Sequence, residues 1–416
     1  MTLPISDLTV QPVSKKPWLL LINVYMTQYL GVSFILASMV AIMRDLGLGL
    51  DKLALLNLVA LPMLTKIFYA PVVDSKPIKL FKRQLQGQYR GWLLCSQFAM
   101  IIMLIWVAHL DVKIQFGWLC VALTLYVFAV SVQDVAIDGL TTKLFNFKDL
   151  PVANSLQFSS NLLGNVIGGG LILMIYPMIG WRWAFYLLAL LTTMAWVNLW
   201  LFQEPNTDSV ANLTLKTLVA SVKSFIQQHK HWFGLLLAYP IGFGKAFSLV
   251  NPLLVDVKWS LADIGFVTKV YGSIIGILSA LSASLWVKKL GRKNTLLILT
   301  FLQTLSIAGL IPLALGYTSQ LAVYLAMTIY FLINPALIAV LATLMMDRAV
   351  SHPTKATMFT LQISVIMVVG FVYAGIGLSL AKMVGYLAVM VLSVILNLLL
   401  FFIVKLSIHR IFKGSQ

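Results

Sequence analysis

The sequence predicts an all-α membrane protein whose twelve transmembrane helices form two six-helix pseudo-repeats. Three observations carry that prediction. Of 416 residues, 60% are apolar and only 10% are charged, whereas a soluble protein carries roughly 25% charged residues. The apolar residues gather into runs close to the roughly 20 residues that cross a bilayer as a helix. One longer polar stretch divides these runs six and six. A soluble enzyme is excluded.

The runs fall at about 18–43, 53–73, 92–110, 116–140, 152–175 and 183–202, then at about 232–254, 264–287, 295–316, 321–346, 357–380 and 384–404. Lys15 and Lys16 before the first run resemble the start of a secretory leader. That run, however, far exceeds the roughly 7–15 apolar residues of a leader and reads as a retained span. The expected division is 1–202 as one bundle, 203–231 as a linker and 232–416 as the second bundle. In the linker, Leu218, Val219, Val222, Phe225 and Ile226 recur at helical spacing, as in a helix lying on the membrane surface.

Net charge is +17, but the Lys and Arg residues sit in short loops rather than on one folded face, which argues against nucleic acid. With the N-terminus and alternate loops placed on one side, that side holds twenty-one Lys and Arg against six on the other, from Lys15 and Lys16 through Arg292 and Lys293 to Lys413. The bias puts both termini in the cytoplasm of a multi-pass inner-membrane protein. Cys95 and Cys120 form no metal or disulfide pattern and read as small core residues. The five histidines form no metal or catalytic constellation, and no phosphate loop appears, so neither ATP nor a cofactor is expected.

The halves resemble one another. Leu156-Gln157-Phe158-Ser159 in span five matches Leu361-Gln362-Ile363-Ser364 in span eleven, and the spans before them end in Asp138 and Asp347. Parallel half-repeats with a site near the midplane are a transporter architecture.

Ionisable residues inside spans are functional candidates by default. Asp134 and Asp138, four apart, share a helix face. Two such carboxylates resist joint ionisation, and one that takes up a proton could couple transport to protons; Asp138, placed close to the interface, could instead simply end its helix. Lys66 matches Asp134 in depth, about 10 Å from the inner end, so the two could form an ion pair that breaks during transport, or a fixed one; Lys66 could also snorkel. Gln157, Asn161 and Asn165 form a polar stripe with Gly164 and Gly168. Cavity lining is expected for Gln157 and Asn161, and close packing for the glycines at 168–170. Tyr239-Pro240-Ile241-Gly242-Phe243-Gly244-Lys245 suggests a broken helix with Tyr239 and Lys245 facing substrate, Lys245 as a cation for an anionic cargo. Lys269 ranks lower, near an outer end. Asn334, before Pro335, and Gln362 complete the expected substrate contacts.

The six-plus-six layout resembles the major facilitator superfamily over essentially the whole chain. Lys66-Ile67-Phe68-Tyr69-Ala70-Pro71-Val72-Val73-Asp74, Gln133-Asp134-Val135-Ala136-Ile137-Asp138-Gly139 and Asp263-Ile264-Gly265-Phe266-Val267-Thr268-Lys269-Val270-Tyr271-Gly272 resemble the branch that holds the muropeptide permease AmpG, acetyl-CoA transporters and single-polypeptide siderophore permeases. Pro71 replaces the usual glycine of the superfamily loop after span two, and Ser75 replaces its arginine; Gly291-Arg292-Lys293 keeps a remnant in the second half. The resemblance implies uptake into the cytoplasm by proton-coupled alternating access, with Asp74 and Asp347 as gate residues. The Gln-Asp-x-Ala-Ile-Asp-Gly form and the short chain lean toward an iron-chelate cargo, a ferric siderophore; a muropeptide or an acetyl-CoA-like solute is the alternative. The expected partners are this small molecule, protons and the lipid bilayer, with the chain as a monomer. A membrane enzyme is the competing class, but it would need acidic or histidine clusters in its loops, and Glu204 is the one glutamate.

Overall fold

The structure, a computed structural model, describes residues 15–39, 42, 43, 46, 48, 56–80, 83, 84, 87–205 and 215–412. Among the described residues, seven continuous helical runs are long and apolar enough to cross a membrane. Three of them, 150–201, 262–314 and 355–411, are each folded at a glycine of positive φ: Gly180 (69°), Gly291 (74°) and Gly385 (84°). A residue with a Cβ is strained at those angles, so glycine is what lets two spans meet in one tight turn. Those seven runs therefore supply ten spans. The first two are the helix Lys15–Ser33 with its π-helical extension Phe34–Ser38, and an irregular second span of short turns from Asn57–Ala60 to Ala70–Ser75. Among the described residues the fold is all-helical apart from a two-residue antiparallel pairing of Lys79–Leu80 with Arg83–Gln84.

Span three is Tyr89–His109 and span four Phe116–Leu144. Span five runs from Leu150 to the turn at Gly180, and span six from there to Leu201. The amphipathic helix Leu215–Gln228 precedes span seven, which is broken into Lys230–Ala238, Pro240–Ser248 and Val250–Asp256. Spans eight and nine meet at Gly291, span ten is Gln320–Ala349, and spans eleven and twelve meet at Gly385. The internal repeat extends into backbone geometry: Gly180 follows Gln157, and Gly385 follows Gln362, at the same interval of 23 residues. The face where span one begins and span twelve ends also carries the 2–3, 4–5, 8–9 and 10–11 turns; it is called the terminal face below.

The small residues of span five let span one approach closely. A Cβ on Gly164 would lie 2.5 Å from the Met26 carbonyl oxygen, and one on Gly168 1.9 Å from that of Leu30. Gly170 instead meets Val270 of span eight, across the halves. One expectation fails: Cys95 is exposed on span three rather than buried in the core, and it is a free thiol. A purely apolar helix gives no periodic signal to tell a lipid-facing position from a core one.

Candidate functional site

A cavity of about 280 Å³ lies between the halves. Its two walls differ in chemistry. Spans one, two, four and five supply Gln28, Tyr29, Lys66, Ser131, Asp134, Asp138, Gln157 and Asn161. Spans seven, ten and eleven supply Tyr239 and a largely apolar surface that includes Leu341, Met345, Phe359, Ile363 and Met367. Among the described residues, all the charge at the cavity therefore belongs to the first half.

The Lys66 Nζ lies 2.6 Å from Asp134 Oδ2, and both residues are buried. Lys66 sits on a single 3-10 turn, Lys66–Phe68, between the short helices of span two. Irregular backbone at this depth is tolerated where it lines a cavity, and the turn carries the ammonium to span four. Snorkelling is thereby ruled out for the conformation shown. Asp134 also accepts from Gln28 Nε2 at 2.6 Å. One turn on, Asp138 accepts from Tyr25 Oη at 2.7 Å and from Gln157 Nε2 at 3.2 Å. Asp138 is fully buried, because span four continues to Leu144 and spans one and five close over it.

The carboxylates fix how the amides point. Carboxylate oxygens accept hydrogen bonds, and each glutamine turns its amide nitrogen to its aspartate. Gln28 Oε1 and Gln157 Oε1, together with Asn161 Oδ1, are buried without a hydrogen-bond partner. A buried acceptor left unmatched costs about 1–3 kcal/mol. A cargo presenting N–H or O–H groups here would recover that loss.

Other expected residues lie elsewhere. Asn165 falls in the π-helical turn Asn165–Leu171 and is half-buried outside the cavity lining. Asn334 is held within the second bundle, accepting from Gln303 Nε2 at 3.1 Å and donating to Ser306 Oγ at 3.1 Å and to the Tyr330 carbonyl at 2.9 Å. Gln362 accepts from Trp232 Nε1 at 2.6 Å and donates to the Met345 and Met358 carbonyls. Polarity inside a span marked these two; here their bonds are met by neighbouring helices, and neither lines the cavity. Tyr239 lines the cavity and its hydroxyl lies 3.3 Å from Thr300 Oγ1. Lys245 is on Pro240–Ser248, and its side chain lies outside the described residues. Lys269 is exposed. Sequence reasoning missed span one; Tyr25, Gln28 and Tyr29, at helical spacing in an apolar run, were the available signal.

The terminal face is held shut by contacts between the halves. Asp74, at the end of span two, accepts from the backbone N–H of Ala356 at 3.2 Å and of Thr357 at 2.6 Å, from Thr357 Oγ1 at 2.6 Å and from Tyr89 Oη at 2.6 Å. Thr354, the residue before span eleven, makes no side-chain capping bond of its own. Asp74 therefore caps a helix of the opposite half. Asp347 binds Arg292 through Nε at 2.6 Å and Nη2 at 3.0 Å, and the same Nη2 reaches the Phe147 carbonyl of the first half at 2.6 Å. Glu204, just past span six, accepts from the N–H groups of Gln88, Tyr89 and Arg90 and from Lys143 Nζ at 2.6 Å. It fastens the linker to the start of span three.

The comparisons agree with this architecture. Residues 21–365 match the Major Facilitator Superfamily. The chain is 26% identical over 338 residues to the anhydromuropeptide permease of Escherichia coli (strain K12), covering 79% of this chain and 67% of that protein. It is 22% identical over 281 residues to the putative transporter AmpG 3 of Rickettsia typhi, covering 64% of this chain and 67% of that one. The fold matches the crystal structure of the human organic anion transporter MFSD10 (TM-score 0.72, 11% identity, 94% of this chain and 100% of that one). It also matches the transporter FucP in its outward conformation (TM-score 0.71, 11% identity, 94% and 98%). These relatives lend no support to the siderophore branch. The chain belongs to the major facilitator superfamily and is a multi-pass secondary transporter of that type.

Proposed function

We propose that the protein is a proton-coupled importer of a small polar solute of the anhydromuropeptide class, working by alternating access across the bacterial inner membrane with both termini in the cytoplasm. The observation that carries this reading is the buried Lys66–Asp134 ion pair at the cavity wall, with Asp138 one turn away. Protonating Asp134 would release Lys66, changing the charge that the cargo meets. Asp138, sharing the face, would be the second proton site. Asp74 and Asp347 would serve as the cytoplasmic gate, so the conformation described here is closed on that side. The bundles 1–202 and 232–416 would rock about the cavity, with 203–231 as tether.

The cargo class rests on the relatives and on the site's hydrogen-bonding needs. An amino-sugar peptide is rich in amide N–H and hydroxyl donors, which suits the unmatched carbonyls of Gln28, Gln157 and Asn161. Small-molecule sites usually span roughly 300–1,000 Å³, so a cavity of about 280 Å³ must widen to admit such a solute. The test is uptake of an anhydromuropeptide into proteoliposomes, acidic outside, with a ferric siderophore and acetyl-CoA alongside. Gradient-dependent accumulation of the muropeptide is expected. Accumulation of the siderophore alone would replace the cargo assignment and leave the coupling argument standing.

A further inference from the structure

A second cavity, of about 550 Å³, opens at the terminal face of the second half. It is lined by Arg292, Lys293, Arg348 and Asp347, with the rings of Phe147 and Phe412 beside them. Its charges do not balance. Asp347 is committed to Arg292 through two hydrogen bonds. Among the described residues, neither Lys293 nor Arg348 has a carboxylate within ion-pair distance.

Arg348 is the less expected of the two. It is 3% exposed, and its guanidinium lies 3.8 Å over the Trp232 ring. It donates from Nη1 to the Leu344 carbonyl at 2.6 Å and from Nη2 to the Ile411 carbonyl at 2.9 Å, while its Nε–H has no hydrogen-bond partner. The neighbouring Asp347 carboxylate attracts this guanidinium, but that carboxylate is already paired with Arg292. A buried charge without a counter-ion of its own is unfavourable unless an opposite charge joins it. The Lys293 ammonium, 5.6 Å from the centre of the Phe412 ring, faces the same space. A guanidinium fork matches phosphate oxygens, and an ammonium adds a point charge. Basic pockets between spans are known to hold phosphorylated headgroups.

We propose that this cavity binds a phosphate-bearing anion, with Arg348 and Lys293 supplying its charge. Two sources share that chemistry, an anionic phospholipid headgroup and a soluble phosphate. Either would lie next to the Arg292–Asp347 pair that links to Phe147 of the other half. The proposal is independent of the cargo in the central cavity.

The full-length protein, purified in a neutral detergent, would be titrated with phosphatidylglycerol, phosphatidylcholine and inorganic phosphate, and binding read by native mass spectrometry and thermal shift. Wild type is compared with Lys293→Gln, with Arg348→Gln and with Lys76→Gln, a basic residue elsewhere on the same face. Selective binding of phosphatidylglycerol over phosphatidylcholine, weakened about tenfold in Lys293→Gln and unchanged in Lys76→Gln, supports a lipid occupant. The same pattern with inorganic phosphate supports a soluble one. Arg348→Gln could fail to fold, so the Lys293→Gln comparison decides. Equal binding of the two lipids with no phosphate effect, or equal weakening in Lys76→Gln and Lys293→Gln, overturns the site.

Discussion

Lys66 and Asp134 join spans two and four by a 2.6 Å ion pair that is 5% and 12% exposed at the side chains. A buried pair is a modest net stabiliser, but removing one partner strands the other. Lys66→Met alone should therefore destabilise the protein by about 3–5 kcal/mol. Adding Asp134→Leu should restore most of that loss. Thermal unfolding of the two variants checks this; a double variant no more stable than the single one would mean that the pair's charges do not depend on each other.

The capping of span eleven by Asp74 predicts a localised effect. An N-cap contributes about 0.5–2 kcal/mol, and here the cap comes from the other half. Asp74→Ala should speed amide exchange at Ala356 and Thr357 by about tenfold, leaving span ten unchanged. Hydrogen exchange resolved by peptide would show it.

Close packing of spans one and five predicts an ordered series. Gly168→Ala drives a Cβ against the Leu30 carbonyl backbone and should cost about 1–3 kcal/mol. Gly169→Ala meets only the Ser33 hydroxyl, which can rotate away, and should cost less. Gly234→Ala has nothing within 4 Å and should be neutral or stabilising by up to about 1 kcal/mol. Melting temperatures in one detergent should follow that order.

Two histidines in the turns of the terminal face predict acid sensitivity. Burial, and secondarily the Arg348 guanidinium, holds His229 below the ordinary imidazole range, and burial does the same for His352. Their rings contact Phe225 of the amphipathic helix at 4.8 Å and 6.0 Å. The folded state resists protonating them while the unfolded state does not, so the unfolded state binds more protons as pH falls through about 6.5. Stability is full above that pH and declines below it. Exchange in the segment 215–228 should rise between pH 7 and pH 5, and His229→Phe should blunt the rise.

The spans, their pairing into halves and the charged residues of the first half were legible in the sequence, because a charge inside an apolar run is costly enough to stand out. Lys66, Asp134 and Asp138 could be picked out that way, and Gln157 and Asn161 as a polar stripe on an apolar helix; all five line the cavity. Polarity alone does not say which helix satisfies a residue, and Asn334 and Gln362 bond to neighbouring helices outside the cavity lining. The second half's wall was hidden for the opposite reason: Leu341, Met345 and Ile363 look like any lipid-facing residue until their neighbours are known. Glu204 read as a linker residue, and only the fold brings it to Lys143 and the start of span three.

The most direct test of the coupling claim measures Asp134→Asn in proteoliposomes by two assays on the same preparation, uptake driven by a pH gradient and counterflow exchange of labelled against unlabelled muropeptide without a gradient. The account predicts loss of gradient-driven accumulation with counterflow retained. Normal concentrative uptake by Asp134→Asn would contradict it.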